Sequence, residues 1–152
     1  MDVIECTLEQ LEQLDQAAGL FNEYRQFYEL ADDLPASRAF LKDNLETKAS
    51  RIFLVRDEQL APLAFAQLYP AICSLEMKPF YWLYDLFVVP AARHQGCARL
   101  MLNHLATLLS AEGAQRISLD TARSNQAAQA LYESLGYEQE RQFLTYHRLL
   151  SR

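Results

Sequence analysis

Apolar residues recur at helical spacing early in the chain. Leu8, Leu11 and Leu14 share one face of "TLEQLEQLDQAAG", with Thr7 and Gln10 in capping-box positions, so a helix is predicted after a short opening strand at "VIEC". The register continues through "LFNEYRQFYEL", where Phe21, Tyr24, Phe27 and Tyr28 fall three and four residues apart. Phe27 is expected in the core with most of this stripe, while the polar tips of Tyr24 and Tyr28 suit the edge of a pocket. "LPASRAFLKDNLE" predicts another short helix, with Pro35 near its start where a missing amide hydrogen costs nothing.

The period then shortens. "RIFLVRD" and "LAPLAFAQLYP" read as strands of an antiparallel hairpin, and "FYWLYDLFVV" as a buried strand ended by Pro90. Ala98, Met101, Leu102, Leu105, Leu108 and Leu109 restore the helical period up to Gly113. "RISLDTA" follows as a strand, "NQAAQALYESLG" as a helix entered through Ser124 or Asn125 and closed by Gly136, and "RQFLTYHRLL" as a final strand. This order predicts a mixed α/β domain spanning residues 1–152, without repeat or linker. A strand–helix–strand crossover makes "RISLD" parallel to "YDLFV", and ligands of such units bind beyond the carboxyl ends of the strands.

Composition narrows the chemistry. With 51% hydrophobic and 22% charged residues the chain is an ordinary globular sequence, and its net charge of −6 offers no positive field for nucleic acid phosphates. Nucleic acid is therefore not an expected partner. Cys6, Cys73 and Cys97 match neither a disulfide framework nor a metal or redox pair, which points to reduced thiols and a cytoplasmic location. No run approaches the roughly 18 apolar residues of a membrane span, and the opening residues lack a signal-peptide pattern. His94, His104 and His147 form no HExxH or local Cys/His cluster, so no metal site is expected.

The stretch "VVPAARHQGCARLMLNHL" runs from a strand through a basic turn into a helix. A helix N-terminus with free N–H groups is a seat for an anion, Gly96 lets backbone approach it, and Arg93 and Arg99 add charge. The competing reading is an ordinary turn with solvated arginines. The turn is neither a GxGxxG nor a Walker GxxxxGK[ST] motif, and no GxSxG elbow occurs. Cys97 has no evident base partner and reads as a small filler within the turn.

Arg93, Gly96 and Ala98 stand in the spacing (R/Q)xxGx(G/A), and this stretch resembles the acetyl-CoA signature of the GNAT superfamily of N-acetyltransferases. "SNQAAQALYESLGY" is similar to the family's second signature, with Asn125, Tyr132, Gly136 and Tyr137 in the matching places, and "WLYDLFVVP" resembles its catalytic strand. The order of elements fits from residue 3 to 150.

The resemblance implies a GNAT-like fold, a mixed and mostly antiparallel twisted sheet flanked by helices, whose fourth and fifth strands splay apart. It also implies acetyl-CoA as co-substrate. Backbone groups of Leu86, Phe87 and Val88 would pair with its pantetheine arm, and Arg93, His94, Gln95, Gly96, Cys97, Ala98 and Arg99 would hold the pyrophosphate. Asn125 would contact the coenzyme from the other side, and the Tyr132 hydroxyl would protonate the departing thiolate. Backbone amides aimed at the thioester oxygen would stabilise a tetrahedral oxyanion.

The acceptor must be a neutral amine, because an ammonium ion has no lone pair. Asp85, or a water it orders, is the candidate to take that proton, or else the carboxylate anchors a cationic substrate. A carboxylate capping strand-end amides is the alternative. Tyr24, Tyr28 and Tyr84 are the candidate substrate residues, with aromatic faces suited to a cation. Relatives often carry Asn or Glu where this chain has Tyr84. Strand alternation puts Tyr84 and Asp85 on opposite faces unless a bulge intervenes. The expected reaction is direct transfer of acetyl to a primary amine of a small molecule or peptide, by a protein that is a homodimer by family resemblance. The alternatives are a non-catalytic acyl-CoA-binding regulatory module of the same fold, or transfer of a longer acyl chain.

Overall fold

The computed structural model describes residues 1–151, and the chain divides into two compact units, Met1–Asp120 and Thr121–Arg152. The first unit contains, in order, β1 (Asp2–Glu5), α1 (Leu11–Phe27), α2 (Leu34–Thr47), β2 (Arg51–Arg56), β3 (Pro62–Cys73), β4 (Lys78–Val88), a 3₁₀ turn at Pro90–Ala92, α3 (Cys97–Ala111) and β5 (Ile117–Ser118). The second contains α4 (Gln126–Ser134).

The strands form one sheet in the order β1-β2-β3-β4-β5, antiparallel up to β4 and parallel between β4 and β5. The mixed, mostly antiparallel α/β architecture is the one the sequence predicts. Alternation divides the sheet's side chains between two layers. Ile52, Leu54, Phe65 and Phe87 pack with Leu14, Ala17, Ala18 and Phe21 of α1 and Leu41 of α2. Phe53 turns to the other face, where its ring lies 6.2 Å from His104 of α3, and Met101, Leu102, Leu105 and Leu109 of that helix are buried. Each fully buried side chain of this size contributes about 1.5–3 kcal/mol of burial free energy, so the two helical layers hold the sheet rigid beneath the site.

Local chemistry sets the helix ends. Asp33 caps α2 by accepting from the Ala36 N–H at 3.1 Å, with Pro35 in the first turn. Asn22 ties the α1–α2 loop together. Its side chain donates to Asp32 at 2.7 Å and accepts from the Asp33 N–H at 3.0 Å and the Ser37 hydroxyl at 3.2 Å.

Four expectations change. The capping box at Thr7 and Gln10 does not form: the Gln10 N–H closes a separate turn onto the Thr7 carbonyl at 3.3 Å, and α1 begins at Leu11. Phe27 is not core. It sits on the last turn of α1, is 63% exposed, and packs edge-on to Tyr28. The strand in "RISLDTA" shrinks to Ile117–Ser118, paired with Tyr81 and Trp82 only. The final strand in "RQFLTYHRLL" does not form: residues 138–151 adopt no regular element and are exposed.

A candidate active site on the first unit

The turn between β4 and α3 owes its shape to two left-handed residues. His94 has φ +63° and Gly96 φ +85°, which swing the chain from the Pro90–Ala92 turn into α3. A Cβ at Gly96 would meet no atom within 4 Å, so glycine is required there by its backbone angle rather than by crowding. Gly96 is also the N-cap of α3, and no side chain caps the helix. The first-turn N–H groups, at the positive end of the helix dipole, are therefore presented to an incoming anion.

The side chains here divide by role. Arg93 donates through Nε to the Val88 carbonyl at 3.2 Å, and its guanidinium lies 5.8 Å from the Phe27 ring centre and 6.0 Å from that of Phe87. That stacking fixes a cation at the carboxyl end of β4. His94, Gln95 and Arg99 are exposed, and Ala98 is half-buried. Cys97 is buried against the Ala92 carbonyl, 3.7 Å from Sγ, and burial pushes its thiol pKa up. A protonated buried thiol is a poor nucleophile.

Among the described residues, β4 pairs with no strand on the β5 side beyond Trp82, which leaves the edge from Leu83 to Val88 without a ladder there. Phe87 anchors the Leu86–Val88 segment in the core, and among the described residues that segment pairs with no strand on the β5 side. An open edge that leads to an uncapped helix N-terminus fits an extended amide-bearing chain ending in phosphates.

Asp85 owes its position to a β-bulge. Gln67 pairs with Asp85 but Leu68 pairs with Leu83, so Tyr84 is the extra residue. The bulge reverses the parity of β4, and Asp85 joins Gln67, Phe65 and Phe87 on the α1 side. Tyr84 faces the same side, its ring 5.3 Å from Tyr69 and 6.1 Å from Trp82. Strict alternation would have separated Tyr84 and Asp85; the bulge brings them together.

A hydrogen-bonded network holds the carboxylate. Oδ2 of Asp85 accepts from Gln67 Nε2 at 2.8 Å. The Gln67 amide cannot turn over without loss, because its Oε1 accepts from Asn44 Nδ2 at 3.0 Å and from the Ser50 hydroxyl at 2.7 Å. Asn44 also donates to the Tyr69 hydroxyl at 3.3 Å. The single proton of the Tyr24 hydroxyl is shared between two acceptors, the Tyr84 carbonyl at 3.4 Å and the Asp85 carboxylate. Burial raises the pKa of Asp85, and the bonds from Gln67 and Tyr24 oppose that rise. Tyr24 further meets Tyr28 at 5.1 Å and Phe87 at 6.1 Å.

Tyr24, Tyr28, Tyr84 and Asp85 are therefore neighbours, as their candidate roles require. Gln67, Asn44 and Tyr69 belong to the same cluster and were not foreseen. The one available signal was a glutamine inside the apolar run "PLAFAQLYP", since a buried amide in a strand needs partners.

On the second unit, Asn125 caps α4 by accepting from the Ala128 N–H at 3.1 Å, and Gly136 closes the helix at φ +91°. The Tyr132 ring lies 5.6 Å from that of Tyr137, whose hydroxyl pKa is pushed up to about 12, mainly by burial and also by Tyr132.

Comparisons with known proteins agree on one family. The model of the acetyltransferase (GNAT) family matches residues 17–137. The chain is 42% identical over 129 residues to an uncharacterized N-acetyltransferase, YhfO, of Bacillus subtilis (strain 168), covering 85% of this chain and 86% of that one. It is 30% identical over 119 residues to the [ribosomal protein bS18]-alanine N-acetyltransferase of Haemophilus ducreyi, covering 78% and 77%. The crystal structure of a probable acetyltransferase superposes with a TM-score of 0.93 at 36% identity, over 100% of this chain and 99% of that one.

Proposed function

We infer the reaction from the premise that this chain belongs to the GNAT acetyltransferase family and is a GNAT-type N-acetyltransferase. Its reaction is transfer of acetyl from acetyl-CoA to a primary amine of a small molecule or a peptide. The observation that carries this reading is the Asp85 network. A desolvated carboxylate, oriented by Gln67 and Tyr24, sits beside the open edge of β4 and among tyrosine rings. A buried carboxylate of raised pKa is a stronger base than an exposed one and is poised to accept the amine's proton.

The backbone of Leu86, Phe87 and Val88 would bind the pantetheine amides, and residues 93–99 the pyrophosphate. Bound there, acetyl-CoA supplies the activated acyl group. Asn125 and Tyr132 are assigned their roles by the family signature: Asn125 as a coenzyme contact and Tyr132 as the proton donor to the departing thiolate. Tyr24, Tyr28 and Tyr84 would line the acceptor's approach, where aromatic faces hold a cationic amine until Asp85 deprotonates it. Holding both reactants together supplies much of the rate gain.

A panel of amino acids, polyamines, aminoglycosides and N-terminal peptides tests the reading, with free thiol and acetylated product followed together. The expected result is matched release of both with one amine class. Tight coenzyme binding with no product from any amine would favour a non-catalytic acyl-CoA-binding module. Arg93→Ala should weaken coenzyme binding about tenfold, the effect of losing one charge-assisted phosphate contact, when titrated by calorimetry. Unchanged affinity would remove the basic turn from the coenzyme site.

A further inference from the structure

Three polar side chains are buried inside the first unit where apolar ones would pack. Gln67 has no exposed surface, and Ser50 and Asn44, at 4% and 7%, are nearly as deep. They come from separate places in the chain: Asn44 from the last turn of α2, Ser50 from the residue before β2, and Gln67 from the middle of β3. Apolar groups of the same shape could replace all three with little change in stability, whereas each buried polar group must find a partner. Here every bond among them points the same way.

Asn44 Nδ2 and the Ser50 hydroxyl both donate to Oε1 of Gln67, at 3.0 and 2.7 Å, and Gln67 Nε2 donates to Oδ2 of Asp85 at 2.8 Å. An amide accepts at one end and donates at the other, so two donors on the oxygen leave the nitrogen for Asp85. Turned over, it would set a carbonyl against the carboxylate and an N–H group against that of Asn44. The Asn44 backbone is itself held, because its carbonyl accepts from the Ala49 N–H at 2.9 Å where α2 ends. Linked bonds of one sense reinforce one another in a desolvated setting.

The titratable groups that face the carboxylate from the packed elements are phenols: Tyr24 of α1, Tyr69 of β3 and Tyr84 of β4. Phenols keep their protons through the acidic range, and the contact from α2 is the uncharged Asn44. The amide relay is thus a lever on Asp85 that does not itself titrate.

We propose that Asn44 and Ser50 are positioning residues for the reaction: they hold the Gln67 amide with its N–H toward Asp85, and so hold in place the carboxylate that takes the amine's proton. This rests on the reading of Asp85 as the base. Neither residue touches substrate; both act through Gln67.

The test follows the Asp85 carboxyl directly, by carbon-13 resonance titration of the full chain labelled at aspartate, the signal being assigned by its loss in Asp85→Asn. Turnover is measured alongside with the amine class that gives product. Asn44→Leu with Ser50→Ala should move the Asp85 titration to higher pH by about one pH unit, the effect of weakening one hydrogen bond to a charged group, and lower kcat about tenfold. Gln67→Glu keeps the size of the side chain and both of its donors but turns an oxygen toward Asp85, so it should move the titration upward by at least about one pH unit. It carries the test alone if the double variant does not fold. Thr47→Ala removes a neighbouring bond on α2, the 2.9 Å donation to the Asp43 carbonyl, and should change neither quantity. In the Asp85→Asn background the double variant should lower kcat no further.

If Asp85→Asn is slow while the relay variants titrate and turn over like the parent, the positioning role is overturned and the base stands. A kcat loss that is equally large in the Asp85→Asn background overturns it too, because the relay then does not act through Asp85. If Asp85→Asn turns over at the parent's rate, or no amine gives product, the reading of the base fails and takes the positioning role with it.

Discussion

Asp85→Asn should lower kcat about 100-fold, the usual contribution of a positioned general base, while raising the melting temperature at neutral pH. The two effects have one cause. The carboxylate is desolvated on the α1 side of the sheet, so its pKa is raised above the ordinary aspartate value despite the bonds from Gln67 and Tyr24. A group with a raised folded-state pKa binds its proton more tightly in the folded chain than in the unfolded one. Its stabilising contribution is therefore complete below the unfolded pKa and is lost as pH rises through the folded value. Above its raised folded-state pKa Asp85 is a desolvated anion, and an isosteric amide removes that charge while still accepting from Gln67. The variant should thus be more stable than the parent above that pKa and gain nothing at a pH where Asp85 is already protonated. Thermal melts at both pH values, together with steady-state rates, decide the matter. Unchanged turnover would strip Asp85 of its role as base, leaving it a structural partner of Gln67. The acidic limb of the kcat/KM profile adds an independent readout. Tyr24→Phe removes a hydrogen bond that favours the carboxylate, so it should move that limb to higher pH.

Tyr132→Phe is the second large effect. The coenzyme thiolate must be protonated as it leaves, and loss of a positioned general acid costs roughly 10²-fold in kcat. Because the phenyl ring is kept, packing against Tyr137 survives and the coenzyme KM should stay within about twofold. A split of this kind, with kcat lowered and KM preserved, identifies an interaction made only in the transition state. If thiol release instead proceeds at the parent's rate, the family signature has lent Tyr132 a role that it does not perform here.

The sequence made much of this legible because helices and strands advertise themselves through local periodicity. The apolar faces of α1 and α3, the continuous apolar runs of β2 and β3 and the Asn125 cap of α4 rest on residues near one another in the chain. The turn from Pro90 to Ala98 was readable for the same reason, since the left-handed angle at Gly96 and the helix start are local matters. Where local and tertiary demands diverged, reading failed. Thr7 and Gln10 have the spacing of a capping box, yet the Gln13 side chain takes the Thr7 N–H and the helix begins a turn later. Phe27 follows the period of its buried neighbours, yet it is the last residue of α1 and stays exposed.

By itself, then, the sequence determined the order of elements as far as α4, the mixed α/β class, the basic turn that enters α3 and, through two signatures, the family. Only the tertiary structure decided the arrangement around Asp85. A bulge is a mismatch between two strands, so no pattern within "WLYDLFV" alone could have placed Tyr84 and Asp85 on one face. Gln67, Asn44 and Tyr69 come from β3 and α2, and they meet Asp85 because strand pairing and helix packing bring together residues distant in sequence. The strand pattern of "RQFLTYHRLL" was written in the sequence too. Whether it becomes a strand is decided by pairing, because backbone hydrogen bonds in a sheet are always made to another segment.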